Sequence, residues 1–255
     1  MKTIYKVIAA LLLVLVLIGM YRAKFKNQSQ VQDNSNLFIV GTNAEFAPFA
    51  FIEHGNIVGF DIDLAQEIAK RLNKKIVFKD MSFEALLPEL QLGKIHIIAA
   101  GISPTEERAQ KVLFTQPYLT GDQLVVVTLK KNPPITSLKD LNDKNVVVND
   151  SFTADYYMSN IHGPHLVRLP TAAEAILALR NGNVYAYVTA YTPVKSVIEQ
   201  NQLEFNIFPI EGTHEATAIA VSREYSDLLP QIDSVIDQMK TDGTFAQLKT
   251  KWGFQ

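Results

Sequence analysis

From Leu37 onward, short aliphatic runs alternate with stretches in which apolar residues recur every three or four positions. LFIVGT (37–42), IVFKDM (76–81) and IHIIAAG (95–101) read as strands with helical patterns between them. In GFDIDLAQEIAKRL (59–72), Leu64, Ala65, Ile68, Ala69 and Leu72 fall on one helix face. Asp61 is available there as N-cap, and Asp63 sits in the first turn, where the helix dipole favours an acid. SFEALLPELQLG (82–93) stacks Phe83, Leu86, Leu87 and Leu90, with a kink expected at Pro88 and a stop at Gly93. Strands alternating with helices predict an α/β fold with parallel strands and crossover helices.

A second set of the same kind follows LVVVTLKKNPP (124–134), whose strand, basic pair and double proline read as a crossing between lobes. It contains the strand NVVVND, a helix from about 153, and TAAEAILALRNG (171–182), where Thr171 and Glu174 suit a capping box and Gly182 a C-cap. The strand VYAYVTAY, a helix near 193–200 and the strand FNIFPI come next. ATAIAVS (216–222) then reads as the return crossing, and the last 30 residues are helical. The expected organisation is one lobe from 37–128 plus 220–255 and another from 129–219.

The first 36 residues differ in character. Lys2 and Lys6 precede an apolar run from Val7 to Tyr21, as in an export signal. No small-x-small cleavage site follows, and Arg22, Lys24 and Lys26 come directly after. Residues 1–22 therefore read as either a cleaved signal or an uncleaved anchor, and 23–36 as a polar tether. Basic residues flank the run on both sides, so charge alone does not settle its orientation; a periplasmic or extracytoplasmic location, with or without an anchor, is expected. Cysteine is absent, which removes disulfides, thiolate metal sites and a cysteine nucleophile, and a net charge of −2 gives no basic footprint for nucleic acid.

Candidate chemistry gathers at strand ends. In AAGISPTEERAQKV (99–112), Ser103 followed by Pro104 and Glu106 has the pattern of a capped helix start. Arg108 would then lie in the first turns, where a cation gains most from an anion sharing the site, or else pairs with Glu106 or Glu107. In NDSFTADYY (149–157), Ser151 and Thr153 follow a strand and offer hydroxyls to an anion, or simply cap a helix. Two such sites on separate lobes suit one carboxylate gripped across a cleft. Phe46, Phe49, Phe51 and Phe83 are candidates for pocket walls or for core. The five histidines form no metal-ligand pattern, and no nucleotide-binding or serine-nucleophile motif occurs. No cofactor or catalytic residue is expected.

Taken together, VGTNAEFAPFAF (40–51), IVGFDIDLAQEIAKRL (57–72), the Phe83–Gly93 helix, GISPTEERAQKVLFTQPY (101–118) and DGTFAQLKTKWG (242–253) resemble the polar amino-acid-binding proteins of ABC transporters, bacterial solute-binding protein family 3, and within it the arginine-binding type. The resemblance implies a type II periplasmic binding protein fold: two Rossmann-like lobes joined by two hinge strands, closing on a small amino-acid ligand for an inner-membrane permease. A monomer is expected. It also implies that Arg108 holds the ligand carboxylate, helped by Ser103 and Thr153, that the Gly101 carbonyl accepts from the ammonium, and that Phe46 and Phe83 sandwich the side chain. Three departures stand out. The second-lobe acid that faces the ammonium in relatives falls near Thr189 to Tyr191, where this chain has Ala190. Asn43 stands for a common aspartate, and Ala50 for the glutamate of arginine-binding relatives. Glu45 is the nearby carboxylate available to compensate, or is a solvent-exposed loop residue. Cyclohexadienyl dehydratases share this resemblance, and in that alternative Glu45 would be the general acid.

Overall fold

The computed structural model describes residues 36–254. The expected signal or anchor at 1–22, and all of the tether but Asn36, lie outside these residues. Among the described residues no helix is long and apolar enough to cross a membrane.

Two five-stranded sheets organise the molecule. The first contains β1 (Leu37–Thr42), flanked by β5 (Lys75–Asp80) and β6 (Ile97–Ile98), then β15 (Ala220–Val221) and β7 (Leu113–Phe114). Strands β1 and β6 are parallel, while β15 runs antiparallel to both its neighbours. Successive side chains leave a strand on opposite faces, so each strand serves two cores. Phe38, Val40, Ile97 and Val221 pack with α1 (Phe60–Arg71) and α7 (Leu228–Asp242). Ile98 and Ala220 pack on the other face with Phe83, Leu86 and Leu90 of α2 (Phe83–Gln91). Helix α8 (Thr244–Trp252) is tied to α1 by Lys251 and Trp252, which both donate to Asp63.

The second sheet has the order β11 (His165–Leu169), β10 (Asn145–Asn149), β12 (Ala186–Ala190), β9 (Leu124–Leu129), β13 (Phe205–Pro209). Strand β10 is parallel to β11 and β12, and β9 is antiparallel to β12 and β13. Val125, Val127, Val147 and Tyr187 face α5 (Ala172–Arg180) and α6 (Tyr191–Gln200), whereas Leu124, Val126, Val146, Val148 and Val188 face α4 (Thr153–Ser159). A two-stranded ribbon, β8 (Leu119–Asp122) with β14 (Glu215–Thr217), runs between the sheets, and β2 (Glu45–Phe46), β3 (Ala50–Glu53) and β4 (Asn56–Val58) form a small antiparallel sheet.

Two expectations change. Leu124 to Thr128, assigned from the sequence to the first lobe, are strand in the second sheet, because all of β9 is buried and paired on both sides there. The crossing is the ribbon just before it. Asp61 does not cap α1. Gly59 occupies the cap position at φ 141, where an added Cβ would lie 2.1 Å from the Phe49 carbonyl oxygen, so the chain enters the helix there only as glycine. Asp61 instead points inward, fully buried, accepting from the Tyr118 hydroxyl and the Gly101 N–H, each at 2.6 Å.

Candidate functional site

The carboxyl ends of β1, β6, β10 and β12 and the β8–β14 ribbon converge on one cleft, the place where open α/β sheets bind ligands. Phe46, Phe49, Phe83, Gly101, Ser103, Arg108, Asp122, Asn149, Phe152, Thr153, Ala154, Thr189, Ala190, Glu215 and Thr217 line it.

Arg108 is carried by α3 (Glu106–Ala109), a single turn whose cap is Thr105, not Ser103 as the sequence pattern predicts. The Thr105 hydroxyl accepts from the Arg108 N–H at 3.3 Å. Freed from capping, Ser103 turns to the cleft. The Arg108 guanidinium, 3% exposed, donates to the Ser103 carbonyl at 2.9 Å and across the cleft to the Ser151 carbonyl at 2.8 Å. Its carbon lies 5.4 Å from the Phe83 ring centre and 5.6 Å from that of Tyr156, within cation–π range. Burial lowers its pKa, opposed by nearby groups that include Glu215. Among the described residues, none of Arg108, Asp122 and Glu215 belongs to an ion pair.

Glu215 was not singled out in the sequence, yet it is central. One carboxylate oxygen accepts from the Ser103 hydroxyl at 3.0 Å and from the Thr153 hydroxyl at 2.7 Å, so a residue of the ribbon bridges both walls. Its register partner in the ribbon is Asp122, which accepts from the Gln123 and Thr192 N–H groups. Burial raises the pKa of both carboxyls. Asp122 pushes that of Glu215 further up, while the two hydroxyls and Arg108 pull it down. The only sequence sign of either acid is a carboxylate in an otherwise apolar and hydroxyl-rich strand segment, and nothing local reveals that the two face each other.

The aromatic wall also differs in one respect. Phe46 and Phe83 both reach the cleft, but the Phe152 ring sits against both, 4.1 Å from Phe83 and 5.0 Å from Phe46 between ring centres. Phe49 stacks on Phe46 at 5.6 Å. Gly101 has φ 64, and a Cβ there would come within 3.1 Å of the Phe46 and Phe49 rings, so the wall requires a residue without a side chain. Thr189 and Ala190 line the floor, and Ala190 leaves that strand end without a carboxylate.

Two expected residues stay outside. Glu45 is exposed, as in the loop-residue reading: strand alternation that turns Phe46 inward turns its neighbour to solvent, and Glu45 does not line the cavity. Asn43 is buried, but its side-chain amide donates to the Met81 carbonyl at 3.1 Å and does not line the cavity.

This arrangement has relatives. The model of the bacterial extracellular solute-binding proteins, family 3, matches residues 38–255. A probable histidine-binding protein of Campylobacter jejuni is 30% identical over 240 residues, covering 93% of each chain. Among solved structures, an ancestral arginine-binding protein bound to arginine is similar at 36% identity and TM-score 0.79, covering 85% of this chain and 98% of its own. An ancestral amino acid-binding protein described as a precursor of cyclohexadienyl dehydratase is similar at 32% identity and TM-score 0.77, covering 86% of this chain and 96% of its own. With the family model matching nearly all of the described residues, the chain belongs to the bacterial extracellular solute-binding proteins of family 3.

Proposed function

We propose that the cleft captures a free amino acid, basic and arginine-like, by hinge closure about the β8–β14 ribbon and delivers it to an ABC permease on the outer side of the cytoplasmic membrane. The observation that carries this reading is the convergence of the Ser103 and Thr153 hydroxyls, one from each side, on a single carboxylate oxygen. A position that suits the oxygen of Glu215 suits the α-carboxylate of a ligand, and the buried charge of Arg108 beside it has no salt-bridged acid among the described residues. Charge-assisted hydrogen bonds of this kind are the stronger class. Asp122 supplies the negative charge that an ammonium or guanidinium needs, in place of the acid missing at Ala190. Phe46, Phe49 and Phe83 offer faces for a planar cationic side chain. In this reading the acting unit is a monomer, Gly101 and Thr189 complete the cleft, and Asn43 and Glu45 have no contact with ligand.

The test is a thermal-shift and calorimetric screen of the purified chain against L-amino acids and their keto acids. A ligand at a hundred times its Kd stabilises by about 2.7 kcal/mol, an easily read shift. Arginine, lysine or ornithine should give that shift, and Arg108→Ala should remove it. Retained affinity in Arg108→Ala would sink the carboxylate clamp. A second reading, an enzyme of the cyclohexadienyl dehydratase kind, draws on the similarity to that enzyme's precursor and on the raised pKa of Glu215. Turnover of prephenate or arogenate would favour it over transport.

A further inference from the structure

The groups best placed to hold a ligand are already engaged by two of the protein's own side chains. Glu215 takes the Ser103 and Thr153 hydroxyls with one oxygen. Phe152 lies against both Phe46 and Phe83, with its ring plane tilted 34° to Phe83 and set at 67° to Phe46. The cavity left among these groups is about 20 Å³, room for about one water molecule. Beside it, and sharing Phe49, Asp122, Glu215 and Thr217 as walls, lies a wider cavity of about 570 Å³ that runs along α6 to Trp252 and Phe254. Side chains expelled from the inner site therefore have space next to it.

We propose that Glu215 and Phe152 are built-in competitors for the ligand: the carboxylate and the ring occupy the places of an amino acid's carboxylate and side chain, and a ligand binds only by displacing both. This rests on the reading of Ser103, Arg108 and Thr153 as the carboxylate clamp. The two residues are consequently specificity determinants. A ligand is selected for making better contacts than Glu215 and Phe152 do, and compounds that offer only a carboxylate, or only a flat side chain, gain too little to enter. The apparent affinity is reduced by the fraction of molecules in which the site is self-occupied. Glu215 also fastens the two walls together, since its hydroxyl partners belong to the 99–105 segment and to α4.

The experiment compares the full-length protein with Glu215→Ala, Phe152→Ala and the double variant, titrating each with L-arginine, L-histidine and L-glutamine by calorimetry. Removing Glu215 should lower Kd by about tenfold, the effect of losing one strong hydrogen-bonded competitor; removing the Phe152 ring should lower it as well, and the double variant should bind more tightly still. An unchanged or weaker Kd in Glu215→Ala overturns the proposal, and weaker binding would make Glu215 a ligand contact. Arg108→Ala, made in the Glu215→Ala background, separates the two ideas: if it leaves affinity intact the clamp itself is wrong, whereas loss of affinity keeps the clamp and leaves Glu215 to be judged by its own variant. Hydrogen exchange without any amino acid gives an independent readout. Amides at 103–108 and 151–155 should exchange faster in Glu215→Ala, with Glu215→Gln intermediate, and unchanged exchange overturns the bridging role whether or not a ligand is found.

Discussion

Replacing Asp61 by asparagine should change how stability depends on pH. Asp61 is wholly buried beneath the loop that carries Gly101, and burial lifts its pKa from 3.8 to about 6, outweighing the Tyr118 and Gly101 hydrogen bonds that pull it down. A pKa raised in the folded state means that the folded protein holds this proton more tightly than the unfolded chain does. The contribution to stability is therefore fully present below the unfolded value of 3.8 and is lost as pH rises through about 6. Moving from 3.8 to about 6 corresponds to about 3 kcal/mol, of which about 2 kcal/mol falls between pH 4 and pH 7. Asparagine keeps the shape and abolishes the titration. Urea unfolding of both proteins across that range should show the stability of the native sequence, taken relative to Asp61→Asn, declining by about 2 kcal/mol as pH rises. A flat difference, or one that grows with pH, would refute the reasoning, because Asp61 would then be ionised in the fold without penalty.

Further outcomes follow from the same contacts. Gly59→Ala should cost about 3 kcal/mol or more in chemical denaturation, since its Cβ would meet the Phe49 carbonyl oxygen at 2.1 Å and the obstacle is backbone. Gly101→Ala should weaken amino-acid binding in calorimetry by at least about tenfold, by displacing the Phe46 and Phe49 rings and straining a φ of 64. Arg180→Ala, which breaks a two-point contact to Glu204 at 2.8 and 2.9 Å on the surface, should lower stability by under about 1 kcal/mol and leave binding unchanged.

Much of the architecture was legible in the chain because it is encoded within a turn or a strand of its own residues. The apolar spacing at 59–72 marked α1 to within a residue at each end, and Thr171 caps α5, its hydroxyl accepting from the Glu174 N–H. The α/β class follows from alternating patterns alone. Candidate site residues were readable where function coincides with a strand end, as with Arg108 and Thr153, which the fold brings to one cleft. What tertiary structure decided is the set of partners that lie far apart. Ser103 meets Glu215 across 112 residues, Thr153 meets it across 62, and Asp61 meets Gly101 across 40. No local periodicity encodes such a meeting, which depends on how the β8–β14 ribbon aligns two separately formed sheets. For the same reason Asp61 looked like a cap and is a buried acceptor, Glu45 could be read as a cleft acid or as a loop residue and faces solvent, and β9 looked like part of the first lobe. Hydrophobic pattern determines which face of an element is buried; only assembly of the whole chain determines which polar group it is buried against.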